Sequence, residues 1–345
     1  MGFYICIRTQ VQSRGSGGRS TPAVLLAALL LVASTAGESR AVVLFNLPNS
    51  ANQSDPGTGV PWGSVAKVSD SAGGSQTGSA VHIGNGYLLT ANHVTINATS
   101  RFVTFDNSTF YEIDPSFKAG SRQYGKQVAA NVDMAVIKLT TIPVGVPSAV
   151  VLPNGQELIA PATLIGWGFG RDPSAPLGSA VVNWGSTSTA AKRWGFNVPR
   201  DAVAIAYDSY SYEALRTVTG GTSNPSGLGD AEAGLTTYDS GGGLFQQLGG
   251  SWYLIGVNAA AESNPTTFGP DRISNIPSRG DYNYFGRVSA YDTQILALVP
   301  EPDSGLLAAA AMTILGVVTM HRRCCQAAKK PVARQVRKAA CTAHT

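Results

Sequence analysis

Cysteine is nearly absent from this chain. Four occur among 345 residues, Cys6, Cys324, Cys325 and Cys341, all near the ends. Residues 42–298 contain none, so that region holds together by packing alone, without a disulfide, a thiolate metal site or a cysteine nucleophile. Histidine is as scarce. Of four, only His82 and His93 lie outside the terminal segments, too few soft ligands for a metal-dependent hydrolase. Charged residues are only 13% against 43% hydrophobic ones, which suits a globular protein with a substantial core. The formal charge of +4 belongs to the ends: residues 42–298 carry 14 Lys/Arg and 18 Asp/Glu, a net of −4. Such a mildly acidic middle offers no footprint for nucleic acid. Long helical periodicity is missing too, whereas 39 glycines and 19 prolines supply many turns.

Residues 1–41 have the order of an export signal. Arg8, Arg14 and Arg19 precede an apolar run from Ala23 to Ala33, and small residues follow at Ser34 and Ala36. Cleavage after Ala36 or Ala41 fits; an uncleaved N-terminal anchor is the alternative. At the other end, Val299-Pro-Glu-Pro302 leads into an apolar stretch from Gly305 to Met320 and then His321-Arg-Arg323. Its length is marginal for a bilayer span, and the basic cluster behind it is a stop signal. Residues 299–323 resemble the PEP-CTERM sorting tail of exported bacterial proteins, ahead of a basic tail at 324–345. That resemblance implies a separate hydrophobic tail helix, membrane association through residues 305–320, and an exosortase-type processing enzyme as partner. A simple membrane anchor is the alternative. Either way the middle of the chain is expected in the cell envelope, at the cell surface or outside the cell.

Residues 42–74, polar and rich in Gly, Pro and Ser, read as a leader or linker with Trp62 as its anchor. Beyond 75 the character changes. Ser79–Ile83 and Tyr87–Thr90 read as strands joined by a tight Gly84-Asn85-Gly86 turn. Short strands follow at Phe102–Phe105, Tyr111–Ile113, Met134–Leu139, Leu164–Gly168, Ala202–Tyr207 and Tyr253–Ala259, bounded by Gly, Pro, Asn or Asp. This pattern indicates an all-β barrel or sandwich. A brief helix is expected at Ala290–Leu298, with Ile295, Leu296 and Leu298 on its apolar side.

Within this region the run Tyr238-Asp-Ser-Gly-Gly-Gly243 stands out. Glycines after Ser240 permit a sharp bend and close approach to a ligand. A serine so presented is a candidate nucleophile, which needs a base held by an acid. His93 follows a strand end, where functional groups project, whereas His82 lies inside a strand and reads as structural. Asp133 heads the apolar strand Met134–Leu139. An acid there is costly unless it is hydrogen-bonded, for instance to an imidazole N–H.

Leu88-Leu-Thr-Ala-Asn-His93 resembles the histidine motif of the trypsin/chymotrypsin-like serine proteases. Val132-Asp-Met-Ala-Val-Ile-Lys-Leu139 resembles their aspartate strand, and Asp239-Ser-Gly-Gly242 their serine loop. Gly166-Trp-Gly168 is similar to the turn that opens their second barrel, and Tyr284-Phe-Gly-Arg-Val288 to the end of their domain. The resemblance implies an all-β fold of two six-stranded antiparallel barrels, roughly 75–150 and 151–298, with a short C-terminal helix. It implies a triad in which Ser240 attacks the scissile carbonyl, His93 moves the proton and Asp133 orients the imidazole. The backbone N–H groups of Tyr238 and Ser240 would form the oxyanion hole. Gly234 would lie at the base of the primary pocket and Ala259, Ala260 and Ala261 along its wall, a site for aromatic or aliphatic side chains. No cofactor is implied, and the partner is a protein or peptide substrate.

Departures from the family pattern are expected to matter. Tyr238 stands where the family usually has Gly and strains the loop or holds it inactive. Gly243 replaces a common Pro, and the family's disulfides are gone. Upstream of His93, Val60-Pro-Trp-Gly63 does not match the family's activation sequence, so Asp239 is expected to bond within the fold instead of to a freed N-terminus. The resulting expectation is an exported serine endopeptidase working through an acyl-enzyme. A catalytically silent, protease-like surface binding domain is the alternative.

Overall fold

The computed structural model describes residues 42–300 except 45, 97–99, 121–123, 154, 175, 178–184, 220–227 and 262–281. The expected export signal, the apolar tail helix at 305–320 and the basic tail lie outside the described residues. Among the described residues no helix is long and apolar enough to cross a membrane.

Runs of β-branched and aromatic residues, cut every few positions by turn formers, make strands. In chain order they are β1 (Val43–Leu44), β2 (Val65–Ser69), β3 (Gln76–Gly84) and β4 (Tyr87–Thr90). A short helix, α1 (Asn92–Ile96), precedes β5 (Phe102–Thr104), β6 (Phe110–Glu112), β7 (Lys126–Gln127) and β8 (Ala135–Lys138). The second half contributes β9 (Val150–Val151), β10 (Ala162–Gly166), β11 (Arg193–Asn197), β12 (Asp201–Tyr207) and β13 (Tyr210–Val218). It ends with β14 (Ala233–Gly234), β15 (Gly243–Leu248), β16 (Ser251–Ala261), β17 (Tyr282–Arg287) and helix α2 (Asp292–Leu298).

The first sheet runs β6-β5-β2-β3-β4-β8-β7. Beyond β6, Ile113 bridges Leu139 past the end of β8, so six strands close on themselves and β7 takes the remaining edge of β8. The second sheet runs β11-β10-β15-β16-β17-β13-β12, with β9 added in parallel to β16. The fold is thus the all-β, chymotrypsin-like pair of barrels, with more strands than six in each sheet. The addition of most consequence is β12, which pairs along its whole length with β13 and buries only Ile205. Together they form an edge hairpin that reaches beyond its own sheet.

One apolar cluster joins the halves, including Val65, Leu89, Met134 and Ile137 from the first and Ile165, Phe245 and Val257 from the second. Burying such side chains contributes roughly 1.5–3 kcal/mol each. Lys192 sits at this seam with only 7% of its surface exposed, its Nζ 4.7 Å and 5.8 Å from the ring centroids of Trp62 and Trp167. Burial pushes its amine down to about 7, against the weaker pull of Asp55 and Asp106.

Two sequence expectations change. Residues 42–74 are part of the fold, not a leader: β1 pairs with β14, and β2 lies between β3 and β5 in the first sheet. On α2, Ile295 is fully buried but Leu296 is 55% exposed, because the helix packs one narrow edge against the core.

Candidate active site

The serine loop belongs to the second sheet but is pinned by the first. Ser79 of β3 donates its N–H to the Ser240 carbonyl at 2.8 Å and its hydroxyl to the Tyr238 carbonyl at 2.9 Å. The same hydroxyl accepts from the Trp167 N–H at 3.0 Å. Gly241, at φ +87°, lies so close beneath Ser79 that a Cβ there would come within 2.0 Å of the Ser79 carbonyl oxygen. Asn258 of β16 holds the far side, its carbonyl accepting from Gly241 N–H at 2.7 Å and its amide donating to the Asp239 carbonyl at 3.2 Å.

Asp239 points into the second barrel and is fully buried. It accepts from the Gly168 N–H and Thr236 N–H, each at 2.8 Å, and from the Thr236 hydroxyl at 3.0 Å. Burial raises its carboxyl to about 6, although those donors and the charge of Arg193 oppose the shift. Gly166 and Gly168 make room for it, since a Cβ on either would lie within 2.6 Å of its carboxyl group.

Tyr238 takes φ +70°, a left-handed conformation that costs a residue bearing a Cβ about 1–2 kcal/mol. Its ring stands edge-on to Phe169 with centroids 5.0 Å apart. Among the described residues, neither the Tyr238 nor the Ser240 N–H donates to any acceptor.

His93 sits on α1, immediately past β4. Its N–H donates to Asp133 Oδ1 at 2.9 Å and its Nδ1 lies 2.7 Å from Asp133 Oδ2. An ionised carboxylate only accepts, so Nδ1 carries the proton and Nε2 is left as a base. The Asp133 side chain is wholly buried, whereas that of His93 is 36% exposed. Burial lowers the His93 pKa, but Asp133, and more weakly Asp208, outweigh it and leave the imidazole above its usual range.

A cleft of about 340 Å³ brings these groups together, lined by His93 and Ser240 with Thr77, Tyr207, Asp208, residues 235–238 and Ala259–Ala261. Among the described residues no hydrogen bond joins Ser240 Oγ to His93. Ala259, Ala260 and Ala261 line the wall. Gly234 does not line the cleft: β14 pairs it with Val43 and withdraws it, and Leu235, Thr236 and Thr237 line the cleft instead.

No protein-family model and no curated protein matches the chain. Among solved structures it is similar to the HtrA-type protease AlgW with a decapeptide, at 17% identity and a TM-score of 0.41 over 65% of this chain. It spans only 52% of that protein. It is also similar to Rv3671c of M. tuberculosis H37Rv in an inactive form, at 13% identity, a TM-score of 0.45, 76% of this chain and 99% of that one. A mutant of human heparin binding protein (CAP37) aligns at 14% identity with a TM-score of 0.44, over 73% of this chain and 96% of that one.

Three residues that shape the site carry no signal in the sequence. Ser79 and Asn258 are ordinary strand positions that hold the serine loop through contacts far apart in the chain. Tyr207 donates its hydroxyl to Asp133 Oδ2, the oxygen that also receives His93 Nδ1.

Proposed function

We propose that the chain is an exported serine endopeptidase. The observation that carries this reading is the 2.7 Å contact between His93 Nδ1 and the buried Asp133, at a cleft that Ser240 also lines. In the proposed reaction, His93 Nε2 takes the Ser240 hydroxyl proton as Oγ attacks the substrate carbonyl carbon. The oxyanion that forms is met by the Tyr238 and Ser240 N–H groups. His93 then returns the proton to the leaving amine as the peptide bond breaks, and water, activated by the same imidazole, hydrolyses the acyl-enzyme. Asp133 keeps the imidazole in the tautomer that this sequence of proton transfers needs.

The wall formed by Leu235, Tyr238 and Ala259–Ala261 favours an aromatic or aliphatic side chain next to the scissile bond. Export through residues 1–41 and sorting or anchoring through 299–323 belong to the same proposal. Casein hydrolysis and fluorophosphonate labelling of the full-length chain test it, alongside His93→Ala and Ser240→Ala. The expected result is a loss of at least about 10³-fold in either variant, and no labelling of Ser240→Ala. A folded wild-type chain that neither hydrolyses nor labels overturns the reading in favour of a silent binding domain.

A further inference from the structure

The hairpin of β12 and β13 reaches across to the first barrel and meets the His93–Asp133 pair. At its tip Ser211 N–H donates to the Asn131 carbonyl at 2.8 Å, and Tyr210 OH accepts from Asn92 Nδ2 at 3.1 Å. Tyr207 OH reaches Asp133 Oδ2. Because that carboxylate only accepts, Tyr207 spends its one proton there. Tyr212 OH lies 3.1 Å from Tyr207 OH and must therefore be the donor in that second contact. The result is a directed chain, Tyr212 to Tyr207 to Asp133, in which each bond polarises the next. Burial, reinforced by the facing Asp133, holds the Tyr207 hydroxyl well above the usual tyrosine range, so it stays a donor.

We propose that Tyr207 is a positioning residue for the triad: its hydroxyl completes the hydrogen bonding of Asp133, fixing the carboxylate and through it the His93 ring. This rests on the peptidase reading. Asp133 receives three donors, the His93 N–H, the His93 Nδ1–H and Tyr207 OH, and has no exposure to water that could replace one of them. The Tyr207 bond also draws charge from the oxygen that faces the imidazole. Without it, that oxygen holds the imidazolium more tightly and the ring is less well fixed.

Tyr207→Phe removes the hydroxyl and keeps the ring, in the full-length chain. The plateau of kcat is expected to fall about tenfold at unchanged KM, as for loss of a hydrogen bond to a charged group. The acid limb of kcat/KM should move to higher pH. His93 titrations and the low-field Nδ1 proton, followed by NMR and assigned with His93→Ala, should shift in step. Tyr212→Phe, which deletes only the outer bond, should move the same readouts less and serves if Tyr207→Phe does not fold. Tyr210→Phe removes a neighbouring hydroxyl that does not touch Asp133 and should leave them in place. His93 titrations and a kcat plateau unchanged in both Tyr207→Phe and Tyr212→Phe overturn the proposal. Because NMR needs no turnover, an inert wild-type chain would sink the peptidase reading while still deciding whether Tyr207 tunes the His93–Asp133 pair.

Discussion

Replacing Tyr238 by alanine and by glycine separates what its ring contributes from what its backbone costs. The ring makes an edge-on contact with Phe169 at 5.0 Å, worth about 0.5–1.5 kcal/mol. Partial burial of its apolar surface adds about 1 kcal/mol. The backbone, at φ +70°, costs about 1–2 kcal/mol for any residue with a Cβ. Tyr238→Ala loses the ring and keeps the cost, so it should be destabilised by about 2 kcal/mol. Tyr238→Gly loses the same ring but sheds the cost, and the added freedom of its unfolded chain takes back part of that gain. Glycine is therefore expected to be the more stable variant by about 1 kcal/mol, the reverse of the usual order at φ < 0. Urea unfolding followed by tryptophan fluorescence measures this difference directly. Both variants keep the N–H at 238, so fluorophosphonate labelling of the glycine variant should stay within a few-fold of wild type. An alanine variant as stable as the glycine one would refute the claim of strain at this position.

Gly241→Ala drives a methyl group to within 2.0 Å of the Ser79 carbonyl oxygen at φ +87°, and should cost about 3 kcal/mol in urea melts and abolish labelling. On the peptidase reading the His93 base must be neutral, and its folded pKa is raised, so activity should fall as pH drops through a value above the usual histidine range. Asp208→Asn removes one cause of that elevation, so the acid limb should move to lower pH, less so at high salt; no shift at low salt would argue against it. Lys192 binds its proton more weakly folded than unfolded, so its contribution to stability should rise as pH increases from about 7 toward 10. Lys192→Met should stabilise the chain by about 2 kcal/mol at pH 7 and flatten that rise, as read by thermal melts across pH.

What the sequence made legible was local. The strands around His93 and Asp133 could be read because their apolar runs are bounded by turn residues, and both groups sit at the ends of those runs. The serine loop was legible because three glycines follow Ser240. Val65–Ser69 carries no local strand signal because five residues after a Gly- and Pro-rich stretch become a strand only through pairing with residues 76–81 and 102–104. Tyr207 meets Asp133 across 74 residues of chain, and Ser79 meets Tyr238 across 159, separations that no local pattern encodes. The resemblance puts Gly234 at the pocket base, but no motif near Ser240 encodes the pairing of β1 with Gly234. Leu296 reads as part of the apolar side of α2 yet is exposed, because a short helix shows its apolar positions but not which of them the core can reach.

On the peptidase reading, the way Asp239 is held bears on control. Its carboxyl group already has two backbone donors and a hydroxyl from its own barrel, with the charge of Arg193 nearby. No freed amino group is required to draw it into place, so competence would come with folding itself. A hydrolase without a covalent trigger cannot be stockpiled in a dormant form and released by a single cut. Restraint would have to come from elsewhere: from when the chain is allowed to fold, from the compartment that receives it, or from an inhibitor seated in the cleft.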